Sequence, residues 1–171
     1  ETMNQAEKTK LLEQIEQWNS KDEYSQCIQA IEAVPETERD YLLTLKLSRA
    51  YSNLAVLGDR RIHGEDGKVD MTPLRHAIQL LESIRSQGEK DPYWNARMGY
   101  STLMAYSSAA TAYEYAKRWL ALAPEDPDAQ KLVRDCEGYL EGERTLALDL
   151  KEREEIIRRE TPDAGKVVIC K

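Results

Sequence analysis

The sequence predicts an all-α protein built of antiparallel helical hairpins, and three observations carry that expectation. Apolar residues recur with the 3.6-residue period of a helix in nearly every stretch up to about residue 157. Gly and Pro are scarce, at 8 and 6 of 171 residues, which argues against a turn-dense all-β fold. The charged fraction, 32%, exceeds the usual value of about 25%, as expected of long solvent-facing helices, while 41% hydrophobic residues suffice to bury a core.

Each element follows from its own spacing. Leu11, Leu12, Ile15 and Trp18 form the first apolar stripe. Asn19-Ser20-Lys21-Asp22 breaks it, and Asp22 is placed to cap the next helix. Tyr24, Cys27, Ile28 and Ile31 make the second stripe, which ends near Pro35. Leu43, Leu47, Ala50, Tyr51 and Leu54 make the third. Thr72 reads as the cap of a fourth helix with Pro73 in its first turn, carrying Leu74, Ala77, Ile78, Leu81 and Ile84 and closed by Gly88. Asp91 caps the fifth, with Pro92 at its first position and Trp94, Met98 and Thr102 on one face. The sixth, about Ser108 to Ala123, carries Ala112, Ala116, Trp119 and Leu120. The seventh starts near Asp126 and turns Ala129, Leu132, Val133, Cys136 and Leu140 inward. Gly138 and Gly142 predict a bend, followed over 142–160 by a separate charged helix with Leu146, Leu150 and Ile157 on a narrow stripe. Short connections between such helices make neighbours antiparallel.

The hairpins repeat. Leu47-Ser48-Arg49-Ala50-Tyr51 and Trp94…Met98-Gly99 resemble the first half of a tetratricopeptide repeat, and Ala112, Ala116, Trp119-Leu120 and Pro124 resemble the second half. Asp22-Glu23-Tyr24 with Pro35 resembles that second half in shortened form. Leu47 and Met98 lie 51 residues apart, which falls to about 37 without the 14-residue insert 58–71, near the 34-residue period of this repeat. Trp94-Asn95-Ala96-Arg97-Met98-Gly99-Tyr100 and Pro124-Glu125-Asp126-Pro127-Asp128-Ala129 look like runs in a poorly characterised bacterial group of tetratricopeptide-like proteins. The resemblance implies a short right-handed solenoid over residues 3–141, with about three hairpins and a capping helix. The small residues Ser48 and Gly99 would let paired helices approach closely.

Two stretches depart from the repeat. The insert contains the turn dipeptide Asp66-Gly67 and lacks the alternating acidic ligands of a calcium loop; it reads as a mobile insert or as a recognition loop. Residues 161–171 combine a loop with Lys166-Val167-Val168-Ile169-Cys170, a strand pattern standing alone in a helical chain. It reads as the start of a downstream α+β domain, as a disordered tail, or as a strand that pairs with another chain or a loop.

Composition also excludes functions. With 24 Lys+Arg against 31 Asp+Glu the net charge is −7, unsuited to nucleic acid or anionic membrane. No run approaches a membrane span. Cys27, Cys136 and Cys170 are odd in number and far apart, fitting reduced thiols in a cytoplasm, with Cys27 and Cys136 as small core hydrophobes. His63 and His76 lack neighbours at metal-ligand spacing and read as surface residues. Phosphate-loop, dinucleotide and nucleophile-elbow fingerprints are missing, and no general base has a poised partner, so neither enzyme activity nor a cofactor is expected.

What remains is surface. In tetratricopeptide-type stacks the first helices of the hairpins line a concave groove. Carried over to this chain, that geometry places Leu42, Leu45, Arg49, Ser52 and Asn53 there, with Tyr93, Ala96, Tyr100, Leu103 and Met104. Arg49, Ser52, Asn53, Tyr93, Tyr100 and Met104 are the candidate partner-binding residues. Arg49 and Asn53 suit a peptide backbone or carboxylate, and Tyr100 and Met104 suit adaptable apolar contacts. In the other reading, Leu103 and Met104 pack on the seventh helix and leave no groove open. The expected function is a non-catalytic protein- or peptide-interaction module of a bacterial cytosolic protein. The alternative is an accessory domain that positions a downstream catalytic or sensing domain. The C-terminal extension is a further candidate for self-association.

Overall fold

A computed structural model of the chain describes residues 2–57 and 70–160, and all regular structure there is helical. In chain order the elements are α1 (Gln5–Ser20), α2 (Tyr24–Glu32), a 3-10 turn (Glu36–Glu38), α3 (Tyr41–Leu57), α4 (Thr72–Ser83), α5 (Arg85–Gly88), α6 (Pro92–Tyr106), α7 (Ala109–Leu122) and α8 (Pro127–Glu160). The turn at Asp66-Gly67, His63, and the strand pattern at 166–170 with Cys170 lie outside the described residues.

Helix starts are set by carboxylates and amides. Asn4 and Glu7 close a capping box on α1, each side chain accepting from the other's backbone N–H at 3.0 and 2.8 Å. Asp40 accepts from the Leu43 N–H at the start of α3. Asp91 caps α6 through the Tyr93 N–H at 2.9 Å, as its place before Pro92 predicts. Two expected caps are corrected. Asp22 adopts a left-handed conformation, φ 59°, and its carboxylate accepts from the Tyr24 hydroxyl instead of the α2 backbone. Thr72 is already the first residue of α4, and Asp70 supplies the acceptor for its N–H.

Packing follows chain order. α1 packs on α2, α2 on α3, α3 on α4, α4 on α6, α6 on α7 and α7 on α8; α3 also touches α1 and α6. Three apolar clusters succeed one another along this series. Ile15, Cys27, Ile28, Ile31, Leu43 and Leu47 fill the first. Leu45, Ile78, Leu81, Trp94, Met98 and Tyr115 fill the second. Ala112, Ala116, Trp119, Ala129, Leu132 and Cys136 fill the third. Leu47, Trp94, Met98 and Trp119 are buried as their stripes predict, whereas Tyr51 is only half-buried.

Small residues mark the close approaches. Ser48 is buried and donates its hydroxyl to the Ala77 carbonyl at 3.0 Å, joining α3 to α4. A β carbon at Gly99 would lie 3.0 Å from Leu132 on α8 and 3.6 Å from Tyr115 on α7. Gly88 ends the helical stretch as expected, as the last residue of the one-turn α5 that follows α4. It is buried beneath the indole of Trp94.

The expected bend after residue 138 does not occur. α8 runs unbroken from Pro127 to Glu160, 34 residues, spanning about 50 Å at 1.5 Å per residue. A β carbon at Gly138 or Gly142 would meet nothing within 4 Å, so both glycines stand on open surface and leave the helix hydrogen bonds intact. Residues 142–160 are therefore the second half of one helix rather than a separate element.

Candidate functional site

Two rows of side chains on α3 and α6 share one spacing. Leu42, Lys46, Arg49 and Asn53 follow at i, i+4, i+7 and i+11 along one face of α3. Tyr93, Arg97, Tyr100 and Met104 do the same on α6, each 51 positions on. Because α3 touches both α1 and α6, these rows lie on the adjoining helices of successive pairs.

The row on α3 meets α1 at a groove of about 560 Å³ lined by Leu12, Glu13, Glu16, Gln17, Leu42 and Lys46. Its apolar contribution is Leu12 and Leu42, the latter 39% exposed. Its rim is charged. Lys46 donates to Glu16, and Arg49 approaches the same carboxylate oxygen at 3.5 Å. The hydrogen bond from Lys46 holds the Glu16 carboxyl below its ordinary value, with the nearby Arg49 charge acting in the same direction. Asn53 donates to the Asn19 side chain at 3.4 Å. The row on α6 is more open. Tyr93 is 40% exposed, and Arg97 lies over its ring at 5.3 Å while donating to its hydroxyl at 3.1 Å. Tyr100 rests edge-on against Trp119 at 6.0 Å, and burial pushes its phenol pKa up. Met104 is 43% exposed.

Of the six candidate residues, Tyr93, Tyr100 and Met104 present exposed surface. Arg49 and Asn53 are half-buried, with Arg49 3.5 Å from Glu16 and Asn53 donating to Asn19. Ser52 is corrected: it is buried, and its hydroxyl donates to the Arg49 carbonyl one turn back. Leu45 is likewise interior, packed with Leu81 and Trp94. Leu45 lies on the side of α3 that meets α4 and α6, where Ile78 and Met98 also close over it. Leu103 packs toward the Leu132–Cys136 cluster, but Met104 does not follow it inward.

Lys46, Arg97 and Glu16 belong to this surface and were not among the candidates. The signal for the first two was available, since each stands four residues after Leu42 or Tyr93. Glu16 depends on how α1 lies against α3, which spacing within one helix does not determine.

Burial raises the thiol pKa of Cys27 and of Cys136, and Cys27 donates to the Ile15 carbonyl at 3.6 Å. His76 is half-buried rather than a free surface residue, its ring edge-on to Tyr51 at 4.5 Å. Arg85 lies over Trp94 and Tyr115, at 5.2 and 5.6 Å, and donates to Glu82 and to the Tyr115 hydroxyl. Among the described residues no helix is long and apolar enough to cross a membrane. Compared with known family models, curated proteins and solved structures, the chain matches none.

Proposed function

We propose that the chain is a non-catalytic, tetratricopeptide-like interaction module. In this reading it forms a short right-handed solenoid that binds an extended peptide segment of another protein along α1, α3 and α6. The observation that carries the reading is the recurrence of one row of exposed and half-buried side chains, Leu42-Lys46-Arg49-Asn53 and Tyr93-Arg97-Tyr100-Met104, on successive first helices. Supporting it are the pairwise packing order and the small residues Ser48 and Gly99 at equivalent close approaches. The groove between α1 and α3 has the apolar floor and charged rim that a peptide side chain and its backbone require.

Within this scheme Leu42 and Tyr93 are the apolar anchors. Binding energy concentrates in a few aromatic and Arg residues, and Arg97 holds the Tyr93 ring in place for contact. Lys46 and Glu16 orient the peptide by exchanging their mutual ion pair for its carbonyl and amide groups.

The test is selection of binding peptides from a random display library against the intact chain. It is followed by titration of the best peptide into a Leu42→Asp/Tyr93→Ala variant. A loss of affinity of at least about tenfold is expected, with an unchanged circular-dichroism melt. Gln79→Ala and Glu114→Ala, on exposed positions of α4 and α7, should bind normally. Arg118 would not serve as a neutral control, because it lies over Tyr115 and reaches the Asn95 side chain at 3.4 Å. Equal binding by the groove variant, or failure of any peptide to be selected, would overturn the reading.

A further inference from the structure

Beyond residue 140, α8 leaves the packed core and carries exposed Leu146 and Leu150, 59% and 51% accessible. They belong to a seam that alternates steps of four and three residues: Tyr139, Glu143, Leu146, Leu150, Arg153, Ile157. That is the heptad spacing of helices that pair side by side, apolar at four of its six positions, with Glu143, Leu150 and Ile157 at one seam position and Tyr139, Leu146 and Arg153 at the other.

We propose that α8 pairs with α8 of a second copy of this chain, running antiparallel about a two-fold axis near residue 148. The charge pattern within the seam selects this arrangement. In an antiparallel pair each residue of one class faces one of the other class. Centring the pair at 148 sets Leu146 against the partner's Leu150, Glu143 against the partner's Arg153, and Tyr139 against the partner's Ile157. Every layer is then complementary: apolar meets apolar, and the charged seam residues meet as opposites. A parallel pair would stack Glu143 on the partner's Glu143 and Arg153 on the partner's Arg153, two like-charged layers that disfavour it.

Two further features agree. Ala147 flanks the axis on one side, where a small side chain lets the helices approach. Tyr139 and Glu143 line an open concavity of about 380 Å³ with Leu103, Ser107 and Ala109, at the point where the end of the second copy's helix would come to rest. Asp149 flanks the axis on the other side and would approach the partner's Asp149 at the solvent rim, so Asp149→Asn should tighten the pair. Leu148, on the opposite side of the helix, takes no part. The pairing stands on α8 alone and does not depend on the groove of α1, α3 and α6.

The experiment is sedimentation equilibrium of the full chain over about a hundredfold range of concentration, since dimer and monomer exchange by mass action. The wild-type chain should reach twice the monomer mass. Leu150→Asp should weaken the dimer by more than about a hundredfold, because the change enters the interface twice, and should leave the thermal melt of the packed core unchanged. Glu143→Arg alone and Arg153→Glu alone should each weaken it, and the two together should restore it. A monomer at every concentration would overturn the proposal, as would a dimer indifferent to Leu150→Asp. A double charge exchange that fails to restore what the singles lose would overturn the antiparallel register. The charge exchange keeps the test valid even if Leu150→Asp frays the helix.

Discussion

A β carbon at Gly88 would lie 2.4 Å from the indole of Trp94, closer than packed atoms approach. Trp94 is fully buried and anchored, its Nε1–H donating to the Leu81 carbonyl at 2.9 Å. Tyr115 meets the ring edge-on at 5.8 Å, and Arg85 lies over it. Gly88 therefore serves the joint between α4 and α6 by leaving room for the largest core side chain.

Gly88→Ala should destabilise the fold by about 2–3 kcal/mol, the scale of overpacking a rigid core. Denaturant melts of the single variant, and of Gly88→Ala combined with Trp94→Leu, form the check. The cost of the glycine change should shrink in the Trp94→Leu background, because the two residues share one space. A loss under about 0.5 kcal/mol in the wild-type background, the level of an indifferent surface change, would mean that Trp94 is not seated there.

Trp119→Ala should cost roughly 3–5 kcal/mol in denaturant melts. The side chain fills the cluster of α7 and α8 and is only 6% exposed. A loss below about 1 kcal/mol, small for a buried aromatic truncation, would place it on the surface.

Gly138→Ala and Gly142→Ala should each stabilise the chain by about 0.5–1 kcal/mol. Both sit inside a continuous helix with open space where a methyl group would go. A decrease in thermal stability for either would show that the helix bends there.

Tyr51 and Tyr41 make stability fall in alkali. Burial, aided by hydrogen bonds to Glu32 and Asp91, pushes the Tyr51 phenol up to about 12 and raises that of Tyr41. In the unfolded chain both titrate near 10. Their contribution is complete below that value. As the pH climbs further the unfolded state releases protons that the folded state retains, so stability drops until the folded phenols titrate. Urea melts at about pH 9 and about pH 11 should show this drop, and Tyr51→Phe should lessen it. An equal slope in the variant would contradict the assignment.

Most of the fold was legible because its signals are local. The stripes at Leu43–Leu54 and Trp94–Thr102, and the Asp91-Pro92 start of α6, need only the residues within one helix. The failures share a cause. Asp22, Thr72, Gly138 and Gly142 are residues whose preferences suggest a cap or a bend, and context overrode each. Gly138 and Gly142 are carried along by the helix on both sides of them. In the candidate site, the exposed row was half legible. Tyr93, Tyr100 and Met104 follow from the repeat geometry carried over to α6, whereas burial of Ser52 and the approach of Arg49 to Glu16 depend on neighbouring helices.

Backbone amide shifts on titration with a selected peptide report the bound surface residue by residue. The perturbed amides should cluster on α1, α3 and α6, around Leu12, Glu16, Leu42, Lys46, Tyr93 and Arg97. Perturbations centred instead on the outward faces of α2, α4 and α7 would contradict the proposed binding surface.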